Sequence, residues 1–265
     1  MTISALVPVY SETDLLLETL ARLKTSLGPL LHEFLIVASP KSSPECLELC
    51  HRLAAEDPLV RTYIQSDRPG IGWAYRELIP HVTGTHGLIL SSDIETNPDD
   101  AGCMAEAAAR TGADIVCASR WLRGGGFSGY DPLKLVLNYG YNLIFRALYG
   151  IRIHDITFGY RLMTAEVLRK VRWEYGRHEF CAEILLKPVR LGYTAVEVPT
   201  RWIKRAEGES KNTFMRNFKF ASAAWKIRFA RRAELWAEAP LTPAAFGNLR
   251  LDRGPTGGPF PGRRP

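Results

Sequence analysis

The most restrictive feature of this chain is the way its first 119 residues alternate short apolar runs with amphipathic stretches. Ile3–Val9, Phe34–Ala38, Val60–Ile64, Gly87–Ser91 and Asp114–Ala118 read as strands. Between them, Glu12–Leu27 places Leu15, Leu16, Leu20, Leu23 and Leu27 at helical spacing. Ser43-Pro44-Glu45 opens a second helix, with Ser as N-cap and Pro at the first helical position. Trp73–Val82 and Asp99–Arg110 complete the set. Strands that alternate with helices need a mainly parallel sheet with helices on both faces, because each parallel crossover must be covered. In such sheets ligands bind beyond the carboxyl ends of the strands, so the residues just after each strand carry the chemistry.

The second half is less regular. Arg123 to Gly129 is a glycine-rich loop, and Leu133–Leu148 a helix rich in Leu, Tyr and Phe. Ala165–Val171 and Glu179–Leu191 read as helices and Ala195–Ile203 as a strand. Thr213–Trp236 reads as one long helix. Its apolar stripe is Phe214, Phe218, Ala221, Trp225 and Phe229, and basic residues surround it. These patterns predict a domain over 1–210, a basic amphipathic helix over 211–239 on a membrane surface, and a Pro/Gly-rich tail over 240–265 that stays unfolded. The Leu133–Leu148 helix fits either the same interface or the core.

Charge divides the chain in the same place. Residues 1–119 carry 8 Lys/Arg and 16 Asp/Glu, while the remainder carries 26 and 12. A basic half beside an acidic one suits phosphates or lipid head groups. It also suits nucleic acid, but no recognition motif accompanies it, so no nucleic-acid partner is expected. The five cysteines are scattered without zinc-ligand spacing and read as reduced thiols. No run is long and apolar enough to span a membrane, and no signal peptide is visible at the N-terminus.

At the strand ends, Pro8, Tyr10 and Glu12 follow the first strand. Asp93 and Glu95 follow the fourth, one residue apart. Along extended backbone such a pair projects to one side and can hold Mg²⁺ or Mn²⁺ against a diphosphate, or it is a solvated turn. Arg120 follows the fifth strand and suits bidentate phosphate recognition. Ser210 and Lys211 precede the last helix, where Ser210 can cap it or help bind a phosphate.

Taken in order, these segments resemble the family 2 glycosyltransferases of GT-A fold, in the dolichol-phosphate mannosyltransferase and polyprenyl-phosphate glycosyltransferase branch. Leu6-Val7-Pro8-Val9-Tyr10-Ser11-Glu12 is similar to the opening nucleotide-binding strand and turn, and Gly70 to Arg76 to the Gly-x-Gly-x-Ala segment. Asp93-Ile94-Glu95 stands where the acidic metal motif stands. Ala118-Ser119-Arg120 to Gly126, Asp155 to Arg161, His178-Glu179-Phe180, Arg190 to Tyr193, Glu197-Val198-Pro199 and Arg205 to Lys211 follow in the family's order. Three positions depart from the pattern, one of them Thr96, where glutamine or serine often follows the acidic motif. Ser39 lies in a segment without the usual aspartates, and the metal motif is Asp-x-Glu rather than Asp-x-Asp.

The resemblance implies a mixed, mainly parallel sheet flanked by helices. It implies inverting, Mg²⁺- or Mn²⁺-dependent transfer of a hexose from a nucleotide-diphospho-sugar, GDP-mannose before UDP-glucose, to a polyprenyl monophosphate. Asp93 and Glu95 would hold the metal. Pro8, Tyr10, Glu12 and Ser39 would line the nucleotide pocket. Arg120 would orient the acceptor phosphate, and Arg205, Ser210 and Lys211 would close on phosphates. The enzyme would sit at the cytoplasmic face of a membrane, with its own helix or a small membrane-protein partner as anchor. The alternatives are a hydroxyl acceptor, with Asp155 or Glu179 as base, or a noncatalytic nucleotide-sugar-binding module.

Overall fold

The computed structural model describes residues 1–66, 68–203, 214–242 and 250–251. In chain order its elements are β1 (Ile3–Val9), α1 (Asp14–Leu27), β2 (Leu31–Ala38), α2 (Pro44–Glu56), β3 (Val60–Ile64) and α3 (Ile71–Leu78). They continue with β4 (His86–Ile89), α4 (Asp100–Thr111), β5 (Ile115–Ser119), β6 (Gly126–Ser128), α5 (Pro132–Tyr149) and β7 (Arg161–Thr164). The last are α6 (Ala165–Lys170), α7 (Phe180–Leu191), β8 (Ala195–Pro199), β9 (Arg201–Ile203), α8 (Phe214–Phe229) and β10 (Arg250–Leu251).

The main sheet runs β10-β3-β2-β1-β4-β7-β5-β8. The pairs β3-β2, β2-β1, β1-β4 and β5-β8 are parallel, whereas β7 lies antiparallel between β4 and β5. This is the expected mixed, mainly parallel α/β sheet. The central parallel strands β1, β2 and β5 are buried on both faces, which explains their largely apolar sequences. Ile3, Ala5 and Val7 of β1 pack with α1, α2 and α4, while Leu6 faces the core shared by α3 and α7. Helix α2 begins as expected, with the Ser43 hydroxyl accepting from Cys46 N at 3.3 Å and Pro44 in the first turn.

Three expectations need correction. The apolar run Ala195–Ile203 is not one strand. It breaks at Thr200, whose N–H donates to Ser119 O (3.0 Å) and whose carbonyl accepts from Gly126 N (3.1 Å). That turn sends β9 out of the main sheet to pair with β6. Strand β7 was not anticipated, because Arg161 at its start hides an apolar signal; yet that side chain is fully buried, its guanidinium donating to Ile156 O and Cys181 O. The last helix ends at Phe229, and a short 3₁₀ turn, Arg232–Leu235, replaces its expected final turns.

Helix α8 packs on α7 and α5 through Ala223, Ala224 and Ile227, all at most 2% exposed. Of the expected stripe, Trp225 and Phe229 face outward, and the side chains of Phe214 and Phe218 lie outside the described residues. Small alanines let the helix approach its neighbours closely and leave Trp225 and Phe229 on the outer face. Within the Pro/Gly-rich tail, Arg250–Leu251 pair antiparallel with Tyr63 and Ile64 of β3.

Candidate active site

Chain order reverses between β2 and β4 on either side of β1, so a crevice opens at the carboxyl ends of β1 and β4. Two of the expected site segments meet there. The Ser92 hydroxyl donates to Pro8 O at 3.0 Å and lies 3.4 Å from a Glu12 carboxylate oxygen. That same oxygen accepts from Tyr10 N (2.9 Å) and Ser11 N (3.1 Å). Glu12 is therefore the brace of the β1 turn, and Tyr10, 59% exposed, is the side chain left facing outward. Ser39 joins the same edge, because its N–H donates to Val9 O (3.1 Å) and its hydroxyl accepts from Lys41 N (3.2 Å).

After β4 the chain turns tightly. Asp93 Oδ1 accepts from Ser91 Oγ (2.6 Å) and from Glu95 N (3.2 Å), while Thr96 Oγ1 accepts from Ser91 N (3.1 Å). Ile94 sits at φ 61°, the left-handed region that a β-branched residue rarely adopts. Asp93 and Glu95 thus lie on a tight, strained turn, one of the two conformations that their spacing left open, and not on extended backbone. Strain of this kind persists only where surroundings enforce it, and it gathers at functional sites. Tyr75 supports the turn from below, with its hydroxyl donating to Leu90 O at 2.8 Å. Burial, reinforced by Cys181 and Asp93, pushes that phenol well above its ordinary range, so it remains a donor.

The donor chemistry here suits a hard cation shared with a ligand. Among the described residues no group of three or more His, Cys, Asp or Glu side chains could hold a metal unaided. Two carboxylates on a fixed turn match Mg²⁺ or Mn²⁺ that completes its shell with water and diphosphate oxygens.

The second half of the site is built on β5 and the loop before β7. Arg120 donates to Asp155 through Nε (2.7 Å) and Nη2 (2.9 Å), and its backbone N–H reaches the same carboxylate at 3.1 Å. Thr157 Oγ1 accepts from Arg120 Nη2 at 2.9 Å and lies 3.1 Å from Asp155 Oδ1, to which it donates. Both charged groups are buried, and the guanidinium lies over the rings of Phe127 and Phe158, 4.8 and 4.5 Å from their centroids. Burial alone would raise the Asp155 pKa, but Arg120 outweighs it and holds the carboxyl below its ordinary value. The same burial would lower the Arg120 pKa, and Asp155 reverses that. Arg120 is therefore an anchored cation with most of its donors engaged. Tyr130 links the two halves: burial raises its pKa, and Arg120, Asp155 and Glu95 all act on it electrostatically.

The network extends into helix α5. Asn138 Nδ2 donates to Thr157 Oγ1 (2.9 Å), and Asn138 Oδ1 accepts from Trp121 Nε1 (3.1 Å) and Asn142 Nδ2 (3.0 Å). Asn142 Oδ1 accepts from Ile156 N at 2.8 Å. These asparagines escaped sequence reading. Their only signal is two poor helix formers one turn apart inside an apolar helix. Glu197 on β8 steadies the same loop, accepting from His154 N (2.8 Å) and Asp155 N (3.0 Å).

The glycine pair before α3 has a steric explanation. Gly70 has φ 132°, and a Cβ at either Gly70 or Gly72 would collide with the 175–177 backbone, whose Gly176 carbonyl accepts from Trp73 N at 3.0 Å. Arg205, Ser210 and Lys211 lie outside the described residues.

Comparison with known proteins agrees with this architecture. The model of the family described as glycosyl transferase family 2 matches residues 4–172. An undecaprenyl-phosphate mannosyltransferase of Micrococcus luteus is 30% identical over 224 residues, covering 80% of this chain and 87% of that protein. A polyprenol monophosphomannose synthase of Mycolicibacterium smegmatis is 28% identical over 232 residues, covering 84% and 86%. Among solved structures, glucosyl-3-phosphoglycerate synthase from Mycobacterium tuberculosis, in complex with Mn²⁺, UDP and phosphoglyceric acid, superposes with a TM-score of 0.61. It covers 87% of this chain and 79% of that one at 15% identity, a likeness of fold. With this sheet, this acidic turn and these matches, the chain belongs to glycosyl transferase family 2 and is a glycosyltransferase.

Proposed function

We propose that this enzyme transfers a hexose, with inversion, from a nucleotide-diphospho-sugar to a polyprenyl monophosphate. GDP-mannose is the first-choice donor, in keeping with the two mannose-transferring relatives, and UDP-glucose the second. The observation that carries this reading is the buried Arg120–Asp155 pair. Transfer to a sugar hydroxyl needs a base beside the anomeric carbon. Asp155 is a poor one, because its carboxylate is engaged by Arg120, Thr157 and Phe158 N and its pKa is depressed. A phosphate monoester is already anionic near neutral pH and needs no such base. Its oxygen attacks the anomeric carbon, the bond from that carbon to the diphosphate oxygen breaks, and the nucleoside diphosphate leaves.

Asp93 and Glu95 are the residues that would hold Mg²⁺ or Mn²⁺ at the diphosphate. The bound cation would neutralise charge on the departing nucleotide. Tyr10, with the Pro8, Glu12 and Ser39 turns behind it, borders the nucleotide side of the crevice. Arg120, fixed by Asp155, presents its remaining guanidinium edge to the acceptor phosphate. Arg205, Ser210 and Lys211 complete the phosphate contacts in this reading. The acceptor brings the enzyme to the cytoplasmic face of a membrane, held by its own surface or by a small membrane-protein partner. Among the described residues no helix is long and apolar enough to cross one.

The test supplies purified enzyme with radiolabelled GDP-mannose or UDP-glucose, undecaprenyl phosphate in detergent, and Mg²⁺ or Mn²⁺. Label should pass into the organic phase from one donor only, and Asp93→Ala should abolish it. Label that stays in water as a glycosylated hydroxyl compound would overturn the acceptor assignment.

A further inference from the structure

Tyr130 stands between the two-stranded ribbon and α5, and both of its neighbours fix its backbone. Gly129 before it has φ 72°, a left-handed turn that glycine adopts without strain. Asp131 after it caps α5. The turn folds the Tyr130 ring back onto the ribbon, where Phe127 of β6 and Trp202 of β9 are register partners. The Tyr130 centroid lies 5.0 Å from each ring, tilted against Phe127 and edge-on to Trp202. Trp121 packs on Phe127 at 4.8 Å, and the Arg120 guanidinium lies over that same Phe127 ring. An aromatic clamp of this kind fixes where the half-buried phenol holds its oxygen.

The hydrogen bonds around it leave that phenol with a proton to give. Arg120 Nε and Nη2 are taken by Asp155 and Thr157, which leaves Nη1 for other partners. The guanidinium is hydrogen-bonded to the Tyr130 hydroxyl. Arginine has no acceptor, so the phenol oxygen accepts and its own proton points elsewhere. Among the described residues that proton has no acceptor. Burial, opposed by Arg120 and reinforced by Asp155 and Glu95, pushes the phenol above its ordinary value, so it stays a donor near neutral pH. An oxygen that feels Glu95 on one side and the Arg120–Asp155 pair on the other lies between the acidic turn and the arginine.

The reading above puts the departing diphosphate at Asp93 and Glu95 and the attacking phosphate at Arg120. An in-line displacement holds the transferring hexose between nucleophile and leaving group, so a donor midway between the two ends faces the sugar and neither phosphate. We propose that Tyr130 Oη donates a hydrogen bond to one hydroxyl of the transferring hexose and thereby selects which hexose the site accepts. A site built to bond a hydroxyl rejects the analogue that lacks it. The proposal rests on that reading for the positions of the two phosphates, but the sugar contact can be measured with no acceptor present.

The experiment is calorimetric titration of the full chain, with Mn²⁺ and no lipid, using GDP-mannose, GDP, UDP-glucose and UDP. Tyr130→Phe keeps the ring and its contacts with Phe127 and Trp202, so it keeps the wild-type melting temperature. The variant should bind the bare nucleotide as wild type does and the intact nucleotide sugar roughly three- to tenfold more weakly, the worth of one hydrogen bond. Monodeoxy analogues of the donor, one for each hexose hydroxyl, then locate the contact. One of them should bind wild type about as weakly as the full donor binds the variant, and should lose nothing further in Tyr130→Phe. In the extraction assay the variant's KM for undecaprenyl phosphate should stay at the wild-type value. Equal affinity of variant and wild type for the intact donor overturns the proposal. A loss shared equally with the bare nucleotide overturns it too, because the hydroxyl then serves the nucleotide or the metal. So does a loss that is the same for every deoxy analogue. A wild type that binds no nucleotide sugar sinks the donor reading and the proposal with it. A sugar-dependent loss in a protein that labels no lipid phosphate upholds Tyr130 as a hexose ligand and sinks the acceptor assignment instead.

Discussion

At the scale of single residues, the Arg120–Asp155 pair has the largest energetic consequence. Removing one partner of a buried pair leaves an uncompensated charge and costs about 3–5 kcal/mol. Asp155→Asn should therefore lower the melting temperature by about 10 °C in a chain of this size and abolish transfer, measured by calorimetry and by the extraction assay. The pH dependence follows from the depressed Asp155 pKa. Stability from this group is fully present above the unfolded value, near about 4, and is lost as pH falls through the lower folded value. The pair's contribution to urea stability should stay flat from neutrality to about pH 5 and fade only in stronger acid. Ile94 makes the opposite kind of prediction. A left-handed β-branched residue costs roughly 1–2 kcal/mol, and glycine returns roughly 0.5–1 of that through chain entropy. Ile94→Gly should leave stability within about 1 kcal/mol of wild type and weaken metal-dependent nucleotide binding, because the turn that gathers Asp93 and Glu95 loosens. Unchanged nucleotide affinity in a titration would separate the strain from the function.

At the scale of elements, α5 shows what a sequence pattern can and cannot disclose. Its limits were legible from composition, and Asp131 caps it by accepting from Lys134 N at 2.9 Å. Its orientation was not, because an apolar stripe looks the same whether it faces a core or a membrane. What settles the matter is the opposite face, where Asn142 is 2% exposed and its side chain bonds Ile156 N. Asn142→Leu would strand that N–H in the interior at a cost of about 1–3 kcal/mol. Hydrogen exchange should show the Ile156 amide losing protection in this variant while the β1 and β4 amides keep theirs. Helix α8 gave a similar ambiguity with the same outcome, since the alanines went in and Trp225 stayed out. The antiparallel β7 was hidden because a fully buried arginine opens it, and its guanidinium is met by carbonyls brought from Ile156 and Cys181.

At the scale of the whole molecule, the parallel half of the fold was legible because strands buried on both faces must be largely apolar, and β1, β2 and β5 are. The position of the site followed from the same regularity, since reversal of strand order at β1 opens a crevice where the chain also places Glu12 and Ser92. What connects the halves of the site was not legible, because Tyr130 and Asn138 come from segments with no shared periodicity. This division predicts how the protein responds to metal and nucleotide. Two carboxylates on one turn contribute no core packing, so EDTA alone should leave the melting temperature unchanged. A nucleotide bound through a metal at about a hundred times its Kd stabilises the native state by about 2.7 kcal/mol, or about 5–10 °C here. A thermal-shift series with GDP and UDP, each with Mn²⁺ or EDTA, should show that shift for one nucleotide, with metal only, and not in Asp93→Ala. A shift that survives EDTA would mean that the backbone of the β1 and β2 turns holds the diphosphate without the acidic turn. The Asp93–Glu95 pair would then act in sugar transfer and not in donor binding.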